Sequence, residues 1–271
     1  MSPPTTDRHG RSPWFVDAFR AEYLDVYSHR DEASAAREAK AALGLLRFDP
    51  AAGLLLDLAA GAGRHAAAFR SQRCRVVCLD LSEDLTRRSQ RARLPTVRGD
   101  MRALPFRDWS FQGVACLFSS FGYFEDEAEH AATLGEIARV LEPGGSVLLD
   151  LMDRDTVRYR LRPQDVEMVD EMTIEIERDM SADGRRVEKS IRIMRSDTEP
   201  RAWVESVRLF TPAEIEDLAH GAGLSVERTV GDYDARPVVP GETRRLVVLR
   251  KPRLRQPVPA SPTTPPESPA P

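Results

Sequence analysis

The sequence predicts an α/β fold: a Rossmann-like, doubly wound sheet of mostly parallel strands, with an antiparallel β insertion after the fifth strand. Residues 54–69, LLLDLAAGAGRHAAAF, are typical of a buried strand, a glycine-rich turn and the start of a helix. Strand and helix patterns then alternate as far as about residue 153. Between residues 154 and 210, successive strand patterns are joined by short turns, which is typical of an antiparallel meander.

Residues 12–50 are predicted to form a helical lid. Apolar and aromatic residues recur at helical spacing in its first half, with Ser12 as the predicted N-cap and Pro13 at the first helical position. A second helix is predicted from about residue 31 to residue 46. The aromatic stripe has two interpretations: it packs onto the main domain, or its tyrosines close over a bound ligand.

Residues 51–153 and 211–252 are predicted to form the core, a mostly parallel sheet with helices on both faces. A strong helix stop, Glu142–Gly145, precedes the fifth strand. The predicted strands are 54–58, 75–79, 96–99, 111–118, 146–151, 224–230 and 244–250, and the predicted helices are at about 64–71, 82–92 and 125–140.

A last core helix is predicted to begin at a capping box, in which Thr211 is the N-cap, Pro212 is the first helical residue and Glu214 is the third. Before it, residues 154–210 are predicted to form the β cap, with strands at 171–180, 187–196 and 202–210. Residues 1–11 are polar and residues 253–271 are proline-rich, so both ends are expected to be disordered.

Composition limits the partners. The 271 residues carry a net charge of −4, which makes nucleic acid an unexpected partner. Neither a secretory h-region nor a transmembrane stretch is present, so we expect a cytoplasmic protein. A monomer or homodimer is expected. Cys74, Cys78 and Cys116 are interpreted as buried reduced thiols, and no metal site is expected.

The glycine-rich turn by itself fits two kinds of ligand. Residues 61–66 match G-x-G-x-x-A and Asp80 follows about twenty residues later, as in a dinucleotide site. However, Asp57 precedes the glycines, no P-loop lysine follows them, and Asp100 with Met101 ends the third strand where an adenine edge could be held. The chain also lacks a second mononucleotide-binding half after the fifth strand.

Four segments, LDLAAGAGR, CLDLS, GDMRALPF and ARVLEPGGSVLLDLM, resemble the successive motifs of class I S-adenosylmethionine-dependent methyltransferases. The resemblance covers about residues 12–252 and departs from the commonest pattern at Ala60, where glycine or cysteine is frequent. The meander resembles the β cap of small-molecule members, including some amino-sugar N-methyltransferases.

The resemblance implies a cofactor site for S-adenosylmethionine. Asp57, Gly61 and Gly63 would line its methionine part, Asp80 would accept bonds from the ribose hydroxyls, Leu81 would pack on adenine, and Asp100 with Met101 would hold the adenine edge. Ala59, Phe118, Tyr23 and Tyr27 complete the expected set. Arg64 either binds the cofactor carboxylate or pairs with a nearby acid. Acids suit this ligand because its sulfonium and ammonium groups are cations and it has no phosphate.

The transfer site is expected near residues 118–124, after the fourth strand. This segment lacks the Pro-Pro-Tyr type of motif, which argues against an adenine N-methyltransferase. Tyr123, Glu125, His29 and Tyr159 are candidate general bases, although no spacing supports any of them.

The leading hypothesis is a methyltransferase, EC 2.1.1.-, that moves a methyl group from S-adenosylmethionine to an O or N atom of a small molecule. The alternatives are an NAD-dependent oxidoreductase that uses the same glycine turn, a methyltransferase acting on RNA or protein, and a regulatory module that keeps the cofactor pocket.

Overall fold

The computed structural model describes residues 12–253 except 21, 28–30, 52, 170 and 197. The predicted disorder of residues 1–11 and 253–271 lies outside the described residues, apart from residue 253. The strands are β1 (Leu54–Leu58), β2 (Arg75–Asp80), β3 (Thr96–Arg98), β4 (Phe111–Cys116), β5 (Leu141–Met152), β6 (Gln164–Val169), β7 (Met172–Met180), β8 (Arg186–Arg195), β9 (Thr198–Arg208), β10 (Ser225–Val230) and β11 (Arg244–Arg250). The helices are α1 (Trp14–Ala18), α2 (Tyr23–Val26), α3 (Glu32–Leu46), α4 (Arg64–Ser71), α5 (Glu83–Arg91), α6 (Glu127–Val140), α7 (Arg154–Arg160) and α8 (Pro212–Gly221).

The core is a seven-stranded sheet in the order β10-β11-β5-β4-β1-β2-β3. β1 to β5 pair in parallel, whereas β11 lies antiparallel between β5 and β10. The α/β prediction with a mostly parallel sheet is therefore confirmed. β1 lies between β2 and β4, so the chain order reverses there, and such a switch point leaves a crevice at the carboxyl ends of the strands.

Both faces of this sheet are covered because successive side chains of a strand point to opposite sides. Leu56 of β1 joins one hydrophobic cluster with residues of α6 and α8, and the adjacent Leu55 joins another with residues of α3 and α4. α8 begins with the predicted capping box, in which Thr211 is the N-cap, and the N-cap residue of α3 is Asp31, whose side chain accepts a hydrogen bond from the Ser34 amide.

The N-terminal segment differs from its prediction. The helix expected in the first half is broken, with α1 ending at Ala18 and α2 beginning at Tyr23. Pro13 occupies the N-cap position and no side chain caps the helix, so the prediction for Ser12 is wrong. Ala18 and Val26 pack into a cluster with the isoleucines of β7 and β8. Phe15 and Phe19 instead contact Phe124 and Tyr123 of the core, so the stripe packs on both the cap sheet and the main domain.

The second sheet is antiparallel in the order β6-β7-β8-β9. Three strands were predicted here, and the structure adds β6 and the helix α7 before it. In β6, Val166 is 67% exposed and Met168 is 80% exposed, so pairing with β7 holds this edge strand and burial contributes little. Because β6 buries few apolar side chains, its sequence lacks the alternating hydrophobic pattern from which a strand is predicted.

β5 also begins earlier than predicted. Leu141 pairs with Phe111 of β4, and the next pair in register joins Gly113 to Ser146. The segment Glu142–Gly145 therefore bulges out of the strand instead of separating it from α6. Gly144 has a φ of 82° within this bulge. No described helix is long and apolar enough to cross a membrane.

Candidate active site

The turn after β1 has the conformation that its glycines predict. Gly61 has a φ of 57° and Gly63 a φ of 84°, and Ala59 adopts the same left-handed region with a φ of 57°. A Cβ atom at Gly63 would lie 2.3 Å from a methyl carbon of Leu94, so no larger residue fits without rearrangement. The turn brings the start of α4 beside the carboxyl ends of β1 and β2.

A cavity lies at the carboxyl ends of the core strands, under the N-terminal segment. Of the twelve residues predicted to bind the cofactor, all except Gly63 line it: Tyr23, Tyr27, Asp57, Ala59, Gly61, Arg64, Asp80, Leu81, Asp100, Met101 and Phe118. Gly63 is instead the N-cap residue of α4. Phe15, Phe19 and Leu24 also line this cavity, which we call the cofactor cavity.

Asp57 is fully buried in the cofactor cavity, and its Oδ2 atom has no hydrogen-bond partner among the described residues. Burial and the nearby carboxylate of Asp80 raise the pKa of Asp57 to about 7. A buried oxygen without a donor costs free energy, so a ligand cation at this position would be stabilising.

Asp80 ends β2 and is tied to the glycine-rich turn. Its Oδ2 accepts the Gly61 amide at 2.7 Å and its Oδ1 accepts the Ser82 amide at 2.8 Å. Burial raises the pKa of this carboxyl, and the two amides oppose the rise. Each oxygen retains lone-pair capacity for a further donor, because a carboxylate oxygen accepts more than one hydrogen bond.

Asp100 is engaged differently. Its two oxygens accept bonds from the guanidinium of Arg102, at 3.0 Å from Nε to Oδ1 and 2.6 Å from Nη2 to Oδ2. Arg102 also pairs with Glu129 of α6. Asp100 thus lines the cofactor cavity with a carboxylate whose orientation is fixed by Arg102.

Arg64 pairs with a nearby acid, which is one of its two predicted roles. Its Nη1 lies 3.3 Å from Glu38 and 3.0 Å from the Ser34 hydroxyl. His65, to which the sequence assigns no role, lies 2.8 Å from the same Glu38 oxygen. Burial lowers the pKa of His65, which keeps the ring neutral at neutral pH.

A second cavity, of about 650 Å³, lies between the core and the β-cap sheet, and we call it the acceptor cavity. Phe19, Tyr23, Tyr27, Phe118 and Tyr123 line both cavities and form the wall where they meet. Glu38 and Asp150 line the acceptor cavity, as do two further acidic residues and five basic ones: Asp165, Glu205, Arg160, Arg162, Arg178, Lys189 and Arg244. We call these five aromatic residues the shared wall.

The candidate bases have different positions. Tyr123 belongs to the shared wall. Glu125 is exposed and lines neither cavity, and Tyr159 is 84% exposed because α7 buries the opposite face through Val157. Neither Glu125 nor Tyr159 is therefore positioned as a base. His29 lies outside the described residues.

Glu38, His65, Asp150, Tyr233 and Arg244 surround the shared wall but were not selected from the sequence. Asp150 could have been selected from the sequence, because it is an acid within the apolar run of β5 and lies at the same edge of the sheet as Asp57. Glu38, His65, Tyr233 and Arg244 have partners in distant segments of the chain, so no local pattern indicates them. No group of three or more His, Cys, Asp or Glu residues in the described part of the chain could hold a metal ion.

The residues of the cofactor cavity fit S-adenosylmethionine. Asp57 offers a buried carboxylate oxygen to an ammonium group, Asp80 offers two oxygens to hydroxyl donors, and the turn has no lysine for a triphosphate. A seven-stranded sheet with one antiparallel strand and acids at three neighbouring strand ends is the arrangement of class I methyltransferases.

Comparisons with known proteins agree. The family described as a methyltransferase domain matches residues 55–145. The chain is 31% identical to a cypemycin N-terminal methyltransferase from Streptomyces sp., over 73% of this chain and 82% of that protein. It is 30% identical to dTDP-3-amino-3,6-dideoxy-alpha-D-glucopyranose N,N-dimethyltransferase from Streptomyces fradiae, over 83% of this chain and 93% of that protein.

The fold also matches a solved structure. The CcbJ methyltransferase from Streptomyces caelestis superposes with a TM-score of 0.74 at 19% identity, covering 88% of this chain and 98% of that one. The chain belongs to the S-adenosylmethionine-dependent methyltransferases. It is therefore an enzyme that uses S-adenosylmethionine, and the alternative of an NAD-dependent oxidoreductase is set aside.

Proposed function

We propose that this enzyme methylates the amino nitrogen of a small-molecule acceptor. The observation that carries the proposal is the pair of acidic residues, Glu38 and Asp150, that line the acceptor cavity beside the shared wall. Asp150 is 2% exposed and lies at the carboxyl end of β5. Glu38 already contacts Arg64 and His65, and Asp150 already contacts Tyr233 and Arg244. An acceptor amine would bind as a further N–H donor to these carboxylates, because a carboxylate oxygen accepts more than one hydrogen bond.

The names of the two relatives point in the same direction. One is an N,N-dimethyltransferase of an amino sugar, which specifies nitrogen, and the other is an N-terminal methyltransferase, which specifies the end of a chain that carries the amino group. An acceptor cavity of about 650 Å³ is within the usual range for a site that encloses a small molecule.

We propose the cofactor contacts from the cavity geometry. Asp57 holds the ammonium group, Asp80 accepts the ribose hydroxyls, Leu81 packs on adenine, and Asp100 with Met101 bounds the adenine edge. Bound S-adenosylmethionine supplies an activated methyl group. The aromatic residues of the shared wall exclude water and orient the acceptor, and positioning of this kind supplies much of the rate in an in-line displacement.

The test is a transfer assay with methyl-deuterated S-adenosylmethionine and matched acceptor pairs. Each pair shares one skeleton: an amino sugar with its hydroxyl analogue, and a short peptide with a free or an acetylated N-terminus. We expect the label on the amine of a pair and not on its blocked or hydroxyl counterpart, as read by mass spectrometry. Transfer to the hydroxyl analogues alone would contradict the proposal, and labelling of RNA or folded protein would favour the macromolecular alternative.

We also propose that the enzyme acts in the cytoplasm, as a monomer or homodimer and without nucleic acid. The three cysteines are buried and form no disulfide, which suits a reducing compartment, and the net charge of −4 disfavours phosphate-rich partners. Fractionation of the native host and light scattering on the purified protein test these points. An exported protein, or a larger assembly, would contradict them.

A further inference from the structure

The turn that follows β4 has an unusual backbone. Phe118 has a φ of 55° and Ser119 a φ of 63°, so two consecutive residues other than glycine occupy the left-handed region. This region is unfavourable for a bulky side chain and persists only where the surroundings enforce it. Phe118 is also part of the shared wall, so the unusual backbone lies where the two cavities meet.

A single residue of the neighbouring strand holds both amides of this turn. The Phe118 amide donates to Oδ2 of Asp150 at 3.0 Å, and the Ser119 amide donates to the backbone oxygen of Asp150 at 2.8 Å. The side chain and the main chain of one β5 residue therefore fix two successive left-handed residues.

The Asp150 carboxylate is itself fixed by residues from the far end of the chain. The Tyr233 hydroxyl donates to Oδ2 at 2.9 Å, and Nε of Arg244 lies 3.4 Å from Oδ1. The Arg244 guanidinium also lies over two rings, at 5.0 Å from the centre of Phe118 and 4.8 Å from that of Tyr233. Arg244 therefore contacts both the carboxylate and the ring that the carboxylate positions.

We propose that Asp150, supported by Tyr233 and Arg244, is a positioning residue that fixes the Phe118 ring between the cofactor and acceptor cavities. It acts through the Phe118–Ser119 backbone, and it thereby sets the distance and angle at which an acceptor atom approaches the cofactor. Displacements of about 1 Å at a reacting centre can cost about a hundredfold in rate, so a fixed wall at this point matters for transfer. The proposal requires only that the two cavities meet at Phe118, and it holds for an amine or any other acceptor.

The test follows the environment and the number of conformations of the Phe118 ring. The full-length protein carries 4-fluorophenylalanine at position 118, and its 19F spectrum is recorded with S-adenosylhomocysteine as the probe. We expect one resonance in the parent protein, and a shifted, broadened or doubled resonance after Asp150→Asn. Adding Ser119→Gly to Asp150→Asn should restore a single resonance, because glycine occupies the left-handed region without help.

A matched control separates positioning from general loss of stability. Asp153 is 5% exposed, lies just after β5, pairs with Arg245 and accepts the Thr156 amide at 2.9 Å. Asp153→Asn therefore removes a buried carboxylate that does not contact the Phe118–Ser119 turn, and it should leave the 118 resonance unchanged. If Asp150→Asn fails to fold, Tyr233→Phe keeps the carboxylate, removes one of its donors and should shift the resonance less.

With an amine that the transfer assay identifies as an acceptor, Asp150→Asn should lower kcat about 10- to 100-fold. The affinity for S-adenosylhomocysteine should change less than about threefold. An unchanged 118 resonance in Asp150→Asn or Tyr233→Phe would overturn the proposal, as would failure of Ser119→Gly to restore the spectrum. The NMR experiment needs no acceptor, so failure of the amine proposal would not affect its outcome.

Discussion

Asp80 is the residue on which the proposed ribose contact depends. Asp80→Ala should weaken S-adenosylmethionine binding by about 1–3 kcal/mol, since it removes charge-assisted hydrogen bonds. Asp80→Asn should cost less, because one oxygen still accepts. Calorimetric titration measures both values. Asp155→Ala, which removes an exposed carboxylate on α7, is the control and should not change the affinity. Unchanged affinity in a folded Asp80→Ala variant would remove the ribose assignment.

Asp57 gives a pH dependence to cofactor binding. Its pKa is raised to about 7 by burial and by Asp80, so the free protein protonates it as the pH falls through neutrality. An ammonium group binds the ionised form, and affinity should therefore fall by up to about tenfold per pH unit below that value. Titrations of S-adenosylhomocysteine at about pH 8 and about pH 6 measure the effect.

The control for Asp57 is a ligand without the ammonium group. 5′-Methylthioadenosine keeps the adenine, the ribose and the sulfur but lacks the amino acid, so its affinity should vary little over the same pH range. Equal pH dependence for the two ligands would show that Asp57 does not contact the ammonium group.

His130 should make the fold less stable in acid. It is fully buried among Phe121, Phe124 and Phe210, neither ring nitrogen makes a well-formed hydrogen bond with a described residue, and burial lowers its pKa to about 3. The unfolded chain, with a pKa near 6.5, then binds a proton that the folded chain does not. Stability contributed by this residue is present above about pH 6.5 and is lost as the pH falls toward about 3.

Between about pH 7 and pH 5 the loss from His130 should be about 2 kcal/mol. His130→Leu should remove this dependence and raise stability by about 1–3 kcal/mol, because two unpaired polar atoms leave the core. Urea unfolding at both pH values measures the change. His220→Leu on the exposed face of α8 is the control, and a pH slope that persists in His130→Leu would refute the assignment.

The sequence located the acids of the cofactor cavity but not their environments. Parallel strands end at one edge of a sheet, so Asp57, Asp80 and Asp100 were expected to lie together. Their hydrogen-bond partners depend on contacts that no local pattern encodes. Asp57 has an unpartnered oxygen, Asp80 accepts two amides, and Asp100 is bound by Arg102.

At the scale of elements, α1 and α2 of the N-terminal segment are the helices that we expect a bound cofactor to affect most. Phe15, Phe19, Tyr23 and Tyr27 line the cofactor cavity, and Arg20 lies in the break between α1 and α2. Limited trypsin digestion should cut after Arg20 more slowly when S-adenosylhomocysteine is present, because the bound ligand holds these aromatic residues in place.

Cleavage after Arg185, in the turn between β7 and β8, is the internal control for the lid and should proceed at the same rate with or without ligand. Mass spectrometry of the fragments separates the two sites. Equal slowing of cleavage at Arg20 and Arg185 would indicate general stabilisation. No slowing at Arg20 would contradict the prediction that the N-terminal segment is a lid over the cofactor.

The helices and strands whose bounds were predicted correctly have a regular set of buried apolar residues. β1, α4 and β11 have the predicted bounds because their apolar residues repeat with a clear period and end at turns. α7 and β6 were missed, and the first lid helix was predicted as continuous although it is broken. These elements depend on pairing and on contacts with distant segments, which the local sequence does not report.

At the scale of the whole molecule, three parts of the chain meet at the shared wall, and we expect this wall to couple the binding of the two ligands. Lid residues such as Tyr27 line both cavities, and the Tyr27 hydroxyl also donates to Glu205 of the β-cap sheet at 2.8 Å. A cofactor that orders this wall lowers the entropic cost of binding the acceptor. We expect acceptor affinity to rise about 5- to 150-fold with S-adenosylhomocysteine present, and cofactor affinity to rise by the same factor with acceptor present.

Calorimetry in both orders of addition, with an amine found in the transfer assay, tests this coupling because the demethylated cofactor prevents turnover. Tyr27→Phe removes the hydroxyl that donates to Glu205 and accepts from Lys189, while keeping the ring. It should therefore reduce the coupling more than it reduces either affinity alone. Equal acceptor affinity with and without S-adenosylhomocysteine would show that the two cavities act independently. In that case the aromatic wall would exclude water without transmitting occupancy from one site to the other.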